Sequence, residues 1–119
     1  MAFIQLGQIA HARSGDKGNH ANIGVVAYTP MGFAFLQREL TAHRVAQFFI
    51  SLEVTQVDRF ELPKLGALNF VLHNVLAGGA SQSLRIDTQG KLLGTAILDL
   101  PLPAPPENQL VQMRSVENP

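Results

Sequence analysis

The sequence predicts an α+β domain, a two-layer sandwich in which a mainly antiparallel sheet of four to five strands is covered on one face by two helical segments. Three observations predict it. Short runs of alternating apolar residues sit near both ends of the chain, and two stretches between them carry apolar residues at helical spacing. The 119 residues are 46% hydrophobic and 15% charged, which suits one globular core.

Taken in order, Phe3 to Arg13 mixes apolar and polar residues without a helical stripe and reads as a strand. Asn22 to Tyr28 reads as a second, with apolar residues on both faces, as expected of a central strand. Between them the polar, glycine-bearing segment Ser14 to Asn22 reads as a loop. Gly32 to Leu52 is helical in pattern but broken near Thr41, a natural N-cap: Phe33, Leu36 and Leu40 form one stripe, and Val45, Phe48 and Leu52 the next. Val54 to Leu62 reads as a strand closed by Pro63. Leu68, Val71, Leu72, Val75 and Leu76 fall at i, i+3, i+4, i+7 and i+8, which predicts an amphipathic helix stopped at Gly78-Gly79. Two last strands are expected at Ser83 to Asp87 and Leu92 to Leu100. The predicted order is β-β-α-β-α-β-β. Pro101, Pro103, Pro105 and Pro106 should end regular structure, giving one domain over residues 1–106 and a flexible or docking tail over 107–119.

Composition excludes several classes of function. Lys plus Arg and Asp plus Glu number nine each, so the basic excess of a general nucleic-acid surface is missing and no nucleic-acid partner is expected. Cysteine is absent, which removes disulfide scaffolds, thiol catalysis and cysteine-built zinc sites. No run reaches the roughly 20 apolar residues of a membrane helix, and the N-terminus lacks the basic start of a secretory signal. The expectation is a cytoplasmic protein with no membrane partner.

The richest candidate site is the Ser14–Asn22 segment. Glycines at 15 and 18 let backbone N–H groups converge, and Arg13 and Lys17 add positive charge. An anionic group such as a phosphate, a carboxylate or the phosphates of a coenzyme would suit Arg13, Ser14, Gly15, Asp16, Lys17, Gly18, Asn19 and Asn22. The competing reading is a hairpin connection in which Asp16, Asn19 and Asn22 bond their own backbone. The segment matches neither a Walker A loop nor a dinucleotide fingerprint, and no motif implies a cofactor.

His11, His20 and Asp16 could be drawn together as metal ligands, but their spacing does not demand it, and no metal is expected. Ser14 and His20 could likewise be drawn as nucleophile and base, a pairing that only geometry can support. On the predicted second helix, Asn69 and His73 lie one turn apart and could line a cavity, with His73 or Lys17 as candidate catalytic groups; a solvated flank is the competing reading.

The run Ala12-Arg13-Ser14-Gly15-Asp16-Lys17-Gly18-Asn19, with Ala21-Asn22-Ile23-Gly24-Val25, resembles the opening of the C-terminal domain of the acyclic terpene utilisation family, AtuA. Phe60-Glu61-Leu62-Pro63, Ala67 to Leu72, Gly78-Gly79 and Ser83 to Asp87 extend the likeness from about Gln8 to Leu100. The resemblance implies a ferredoxin-like fold. It also implies a domain found either fused behind a larger domain or as a separate small protein, in the catabolism of acyclic terpenes and branched acyl groups on coenzyme A. It brings no catalytic residue. Three readings follow: a small subunit partnering a separately encoded AtuA-type large domain, a stand-alone lyase or hydrolase acting on an acyl-CoA, and a structural module that forms a homo-oligomer. The first two would take an anionic acyl-CoA-type ligand.

Overall fold

The computed structural model describes residues 2–74 and 93–114. Its centre is a four-stranded antiparallel sheet of order β2-β3-β5-β4, built from β2 (Ala10–Lys17), β3 (His20–Ala27), β4 (Gln56–Leu62) and β5 (Ala67–His73). A second sheet pairs β1 (Phe3–Gln5) with β6 (Pro101–Pro103). Helices α1 (Pro30–Glu39) and α2 (Ala42–Phe48) lie between β3 and β4 in the chain, and α3 (Glu107–Met113) closes it.

The glycine-bearing segment is strand rather than loop for most of its length. β2 and β3 pair without interruption from Ala10↔Ala27 to Lys17↔His20, leaving Gly18-Asn19 as the whole turn. Gly18 has φ +63° and Asn19 has no positive φ, the pattern of a type II′ hairpin turn, in which glycine takes the first central position. The N-terminal strand is also divided: a 3-10 turn at Leu6–Gln8 separates β1 from β2 and buries Leu6.

The helical break falls where the sequence places it. Thr29 caps α1 by accepting the Gly32 N–H at 3.0 Å, and Thr41 caps α2 by accepting the Arg44 N–H at 3.1 Å. The open carbonyls at the end of α1 have a partner from the sheet: Arg59 Nη1 donates to the carbonyls of Gln37 and Leu40, both at 3.2 Å.

Two predicted elements are corrected. The expected helix through Leu68 and Val71 is β5, in which Leu68, Phe70 and Leu72 are buried and Asn69, Val71 and His73 face the other way. Apolar residues at 68, 71 and 72 satisfy helical spacing, but the period-2 set 68, 70, 72 is equally apolar. A tight connection from β4, closed by Gly66 at φ +61°, settles the matter by forming a hairpin. The expected strand Leu92 to Leu100 is also overturned: residues 93–96 are helical and Ile97–Asp99 form a 3-10 turn. The two helical segments on the sheet are therefore α1 and α2, and the described order begins β-β-β-α-α-β-β. The expected Gly78-Gly79 stop and the Ser83 to Asp87 strand lie outside the described residues. The proline segment does not end regular structure, because Pro101–Pro103 pairs with β1.

One face of the sheet packs against the helices. Ile23, Val25, Phe70 and Leu72 meet Phe35, Leu36, Leu40 and Val45 in a single core. α3, in the segment read as a tail, adds buried Leu110 and Met113. Among the described residues no helix is long and apolar enough to cross a membrane.

Candidate functional site

Strand alternation decides what stands on the opposite face, which is open among the described residues. Since Ile23, Val25, Phe70 and Leu72 point to the core, residues two apart in phase with Asn22, Gly24, Asn69 and His73 point away from it. Cross-strand register then sets these positions in rows. Arg13, Gly24, Asn69 and Phe60 form one row, and Gly15, Asn22, Val71 and Asp58 the next. Arg13, Asn69 and His73 thus share a face, although Asn69 and His73 are not stacked as they would be on a helix. Lys17 pairs with His20 beside the hairpin turn.

Within these rows, Gly15 and Gly24 form the floor of a shallow trough of about 370 Å³ bounded by Arg13, Ser14, Asp16 and Asn22. Neither glycine has a positive φ. Among the described residues a Cβ on Gly15 would meet nothing within 4 Å, and one on Gly24 only Asn69 Oδ1 at 3.9 Å. Backbone geometry and packing therefore require glycine at neither place, and glycine inside a strand weakens it. The small residue leaves room above the sheet.

Two expected members of the site border the trough but have the strand phase of the other face. Ser14 is paired with Ile23 and turned toward the helices, where its Oγ accepts the Gly94 N–H at 2.7 Å. Asp16, paired with Ala21, shares that phase. This separates Ser14 from His20 and removes the nucleophile–base pairing. His11, opposite Val26, and His20, opposite Lys17, stand at far ends of the hairpin, about 20 Å apart along the strands. With Asp16 on the other side, the three do not meet as metal ligands. The His11 ring stacks on Tyr28 at 5.6 Å instead.

At the hairpin end of the open face lies a group that sequence reading saw only in part. Asp58 Oδ2 is 2.7 Å from His73 Nε2, and Gln56 Nε2 donates to Asp58 Oδ1 at 2.7 Å. The Gln56 hydrogen bond, followed by the one from His73, holds the Asp58 carboxyl below its ordinary range. The His20 and His73 rings meet edge to face with centroids 4.7 Å apart. His20 Nδ1 accepts the backbone N–H of Asn74 at 3.1 Å. Asn74 is left-handed, at φ +62°, and its side chain donates to Thr55 Oγ1 at 3.0 Å. Asp58 escaped notice because it is 15 residues from His73 and becomes its neighbour only once β5 is a strand.

A four-stranded antiparallel sheet, helix-covered on one side and carrying its polar groups on the other, places the chain among α+β sandwiches of the ferredoxin-like class. Within that class it belongs to the AtuA ferredoxin-like domain family, whose model matches residues 4–103. No curated protein and no solved structure matches the chain.

Proposed function

We propose that the chain is a small subunit that partners a separately encoded AtuA-type large domain in the catabolism of acyl-CoA compounds, acyclic terpenoid or branched, and that its open sheet face seats an anionic part of the ligand. The observation that carries this reading is the trough over Gly15 and Gly24, where two strand positions give up side chains beside Arg13, Asn22 and Asn69. A guanidinium can hold a phosphate or carboxylate through two parallel hydrogen bonds, and asparagine amides add neutral donors. Family membership supports the pathway, through the association that the resemblance implies.

Co-purification with the large protein and assay of the joint activity test the reading. Arg13→Ala and Gly24→Val should each weaken ligand affinity by about tenfold or more, through a lost charged contact and a filled trough. Lys17→Ala should weaken it as well. Glu107→Gln, on α3 and exposed far from the trough, serves as a control and should leave affinity unchanged. Failure to co-purify removes the subunit role; unchanged affinity in Arg13→Ala and Gly24→Val removes the trough.

A further inference from the structure

The two imidazoles at the hairpin end have partners that select the tautomer of each neutral ring. An ionised carboxylate only accepts hydrogen bonds, so Asp58 at 2.7 Å places the hydrogen of the neutral His73 ring on Nε2 and leaves its Nδ1 with a lone pair. The Asn74 N–H does the reverse for His20: it occupies Nδ1 and places the hydrogen of the neutral ring on Nε2. Among the described residues neither His73 Nδ1 nor His20 Nε2 has a hydrogen-bond partner. One ring thus offers a base and its neighbour, 4.7 Å away between centroids, offers a donor.

Both rings are locked from behind. Gln56 holds the second oxygen of Asp58. Thr55 ties Asn74 to β5, because its N–H and Oγ1 both reach the His73 carbonyl, at 3.1 and 3.3 Å, while Oγ1 also accepts the Asn74 amide. A surface histidine pair needs none of this support. Groups oriented before a ligand arrives are what acid–base catalysis uses.

We propose that His20 and His73 form an acid–base pair that removes a proton from a carbon next to a carbonyl group in an anionic substrate. The C–H bond breaks as the proton passes to His73 Nδ1, and the bonding electrons become the C=C bond of an enolate. His20 Nε2–H donates to the enolate oxygen. Asp58 balances the charge of the His73 imidazolium, and return of the proton restores the carbonyl compound with no oxidant or reductant consumed. Arg13, on the same face, lies roughly 16 Å from His73 across two strands and two rows, so a substrate spanning both would be extended, with its anionic end remote from the reacting carbon.

Butanoyl-coenzyme A is a suitable probe because it joins an activated C–H to phosphates. In heavy water the full chain, with and without the AtuA-type large protein, should speed deuterium entry at the carbon beside the thioester above the buffer rate. His73→Gln and Asp58→Asn should lower that rate by roughly 100-fold or more with KM little changed. Asp58 acts as a positioning residue, and nitrogen NMR of the histidine rings reads its role directly: His73 should carry its hydrogen on Nε2 at neutral pH, and Asp58→Asn should shift the hydrogen toward Nδ1 while leaving His20 unchanged. Exchange no faster than buffer under both conditions overturns the proposal. So does full exchange by His73→Gln, or a His73 ring protonated on Nδ1 in the wild type. Co-purification is scored separately, so failure here leaves the subunit reading standing, and the reverse also holds.

Discussion

Asp58 accepts hydrogen bonds from Gln56 and His73, and both favour its charged form. Because its folded-state pKa is depressed, the stability it confers is complete above the unfolded carboxylate value of about 3.9 and is lost as pH falls through the lower folded value. The urea midpoint of Asp58→Asn should therefore fall less than that of the wild type between about pH 5 and about pH 3. Parallel acid-side curves would show that the carboxylate makes no net contribution. Ser14 and Gly94 make a second residue-scale case. A Cβ on Gly94 would lie 3.0 Å from Arg13 C, Ser14 N and Ser14 Oγ, two of them backbone atoms of a paired strand. Alanine suits a helix better than glycine by about 1 kcal/mol, but strand backbone cannot yield, so Gly94→Ala should lose about 1–2 kcal/mol in urea titration. Single-residue signals were legible where partner and signal are neighbours in sequence. Thr41 is legible as a cap because its donor, the Arg44 N–H, is three residues away. Ser14 resembles a ligand-site hydroxyl in the sequence because its Gly94 partner is 80 residues away.

At the scale of elements, the informative error is β5. Leu68, Val71 and Leu72 carry helical spacing, while Leu68, Phe70 and Leu72 carry strand spacing, and a short apolar run cannot distinguish the two by periodicity alone. The turn at Pro63 to Gly66 held the missing information, since a four-residue link ending in a left-handed glycine returns the chain along β4. Mutation distinguishes the two forms. Phe70 is fully buried among core residues, so Phe70→Ala should cost about 3–5 kcal/mol. Val71→Thr, on the open face, should cost less than about 1 kcal/mol. A helix with the apolar stripe 68, 71, 72 would reverse that order. The same misreading hid part of the candidate site. On a helix Asn69 and His73 stack and Asp58 is remote; on a strand Asn69 joins the Arg13 row and His73 reaches Asp58. The Arg59 bonds to the end of α1 were equally invisible, because they need β4 and α1 to be adjacent layers.

At the scale of the whole molecule, the two faces of the sheet are separable. The helix side is closed: α1 and α2 cover it and α3 packs on α1, where a Cβ on Gly32 would already meet Met113 O at 3.4 Å and Thr29 Oγ1 at 3.3 Å. Deleting residues from Glu107 onward would strip buried Leu110 and Met113 from this side. At about 1.5–3 kcal/mol for each side chain, the loss is a large part of a domain's stability, so the truncated chain should unfold at much lower urea or fail to fold cooperatively. The open side carries no such load. Phe60 is 52% exposed there, in the row of Arg13 and Asn69, where it can add apolar area to a contact without anchoring the core. Phe60→Ser should thus leave the urea midpoint within about 0.5 kcal/mol of wild type. If the large protein docks over this row, the same change should weaken binding by about tenfold or more, since exposed aromatics at the centre of a contact carry much of its affinity. Calorimetric titration beside a urea curve decides it. Unchanged binding with unchanged stability would move the contact away from the open face, and lost stability would show that Phe60 serves the fold.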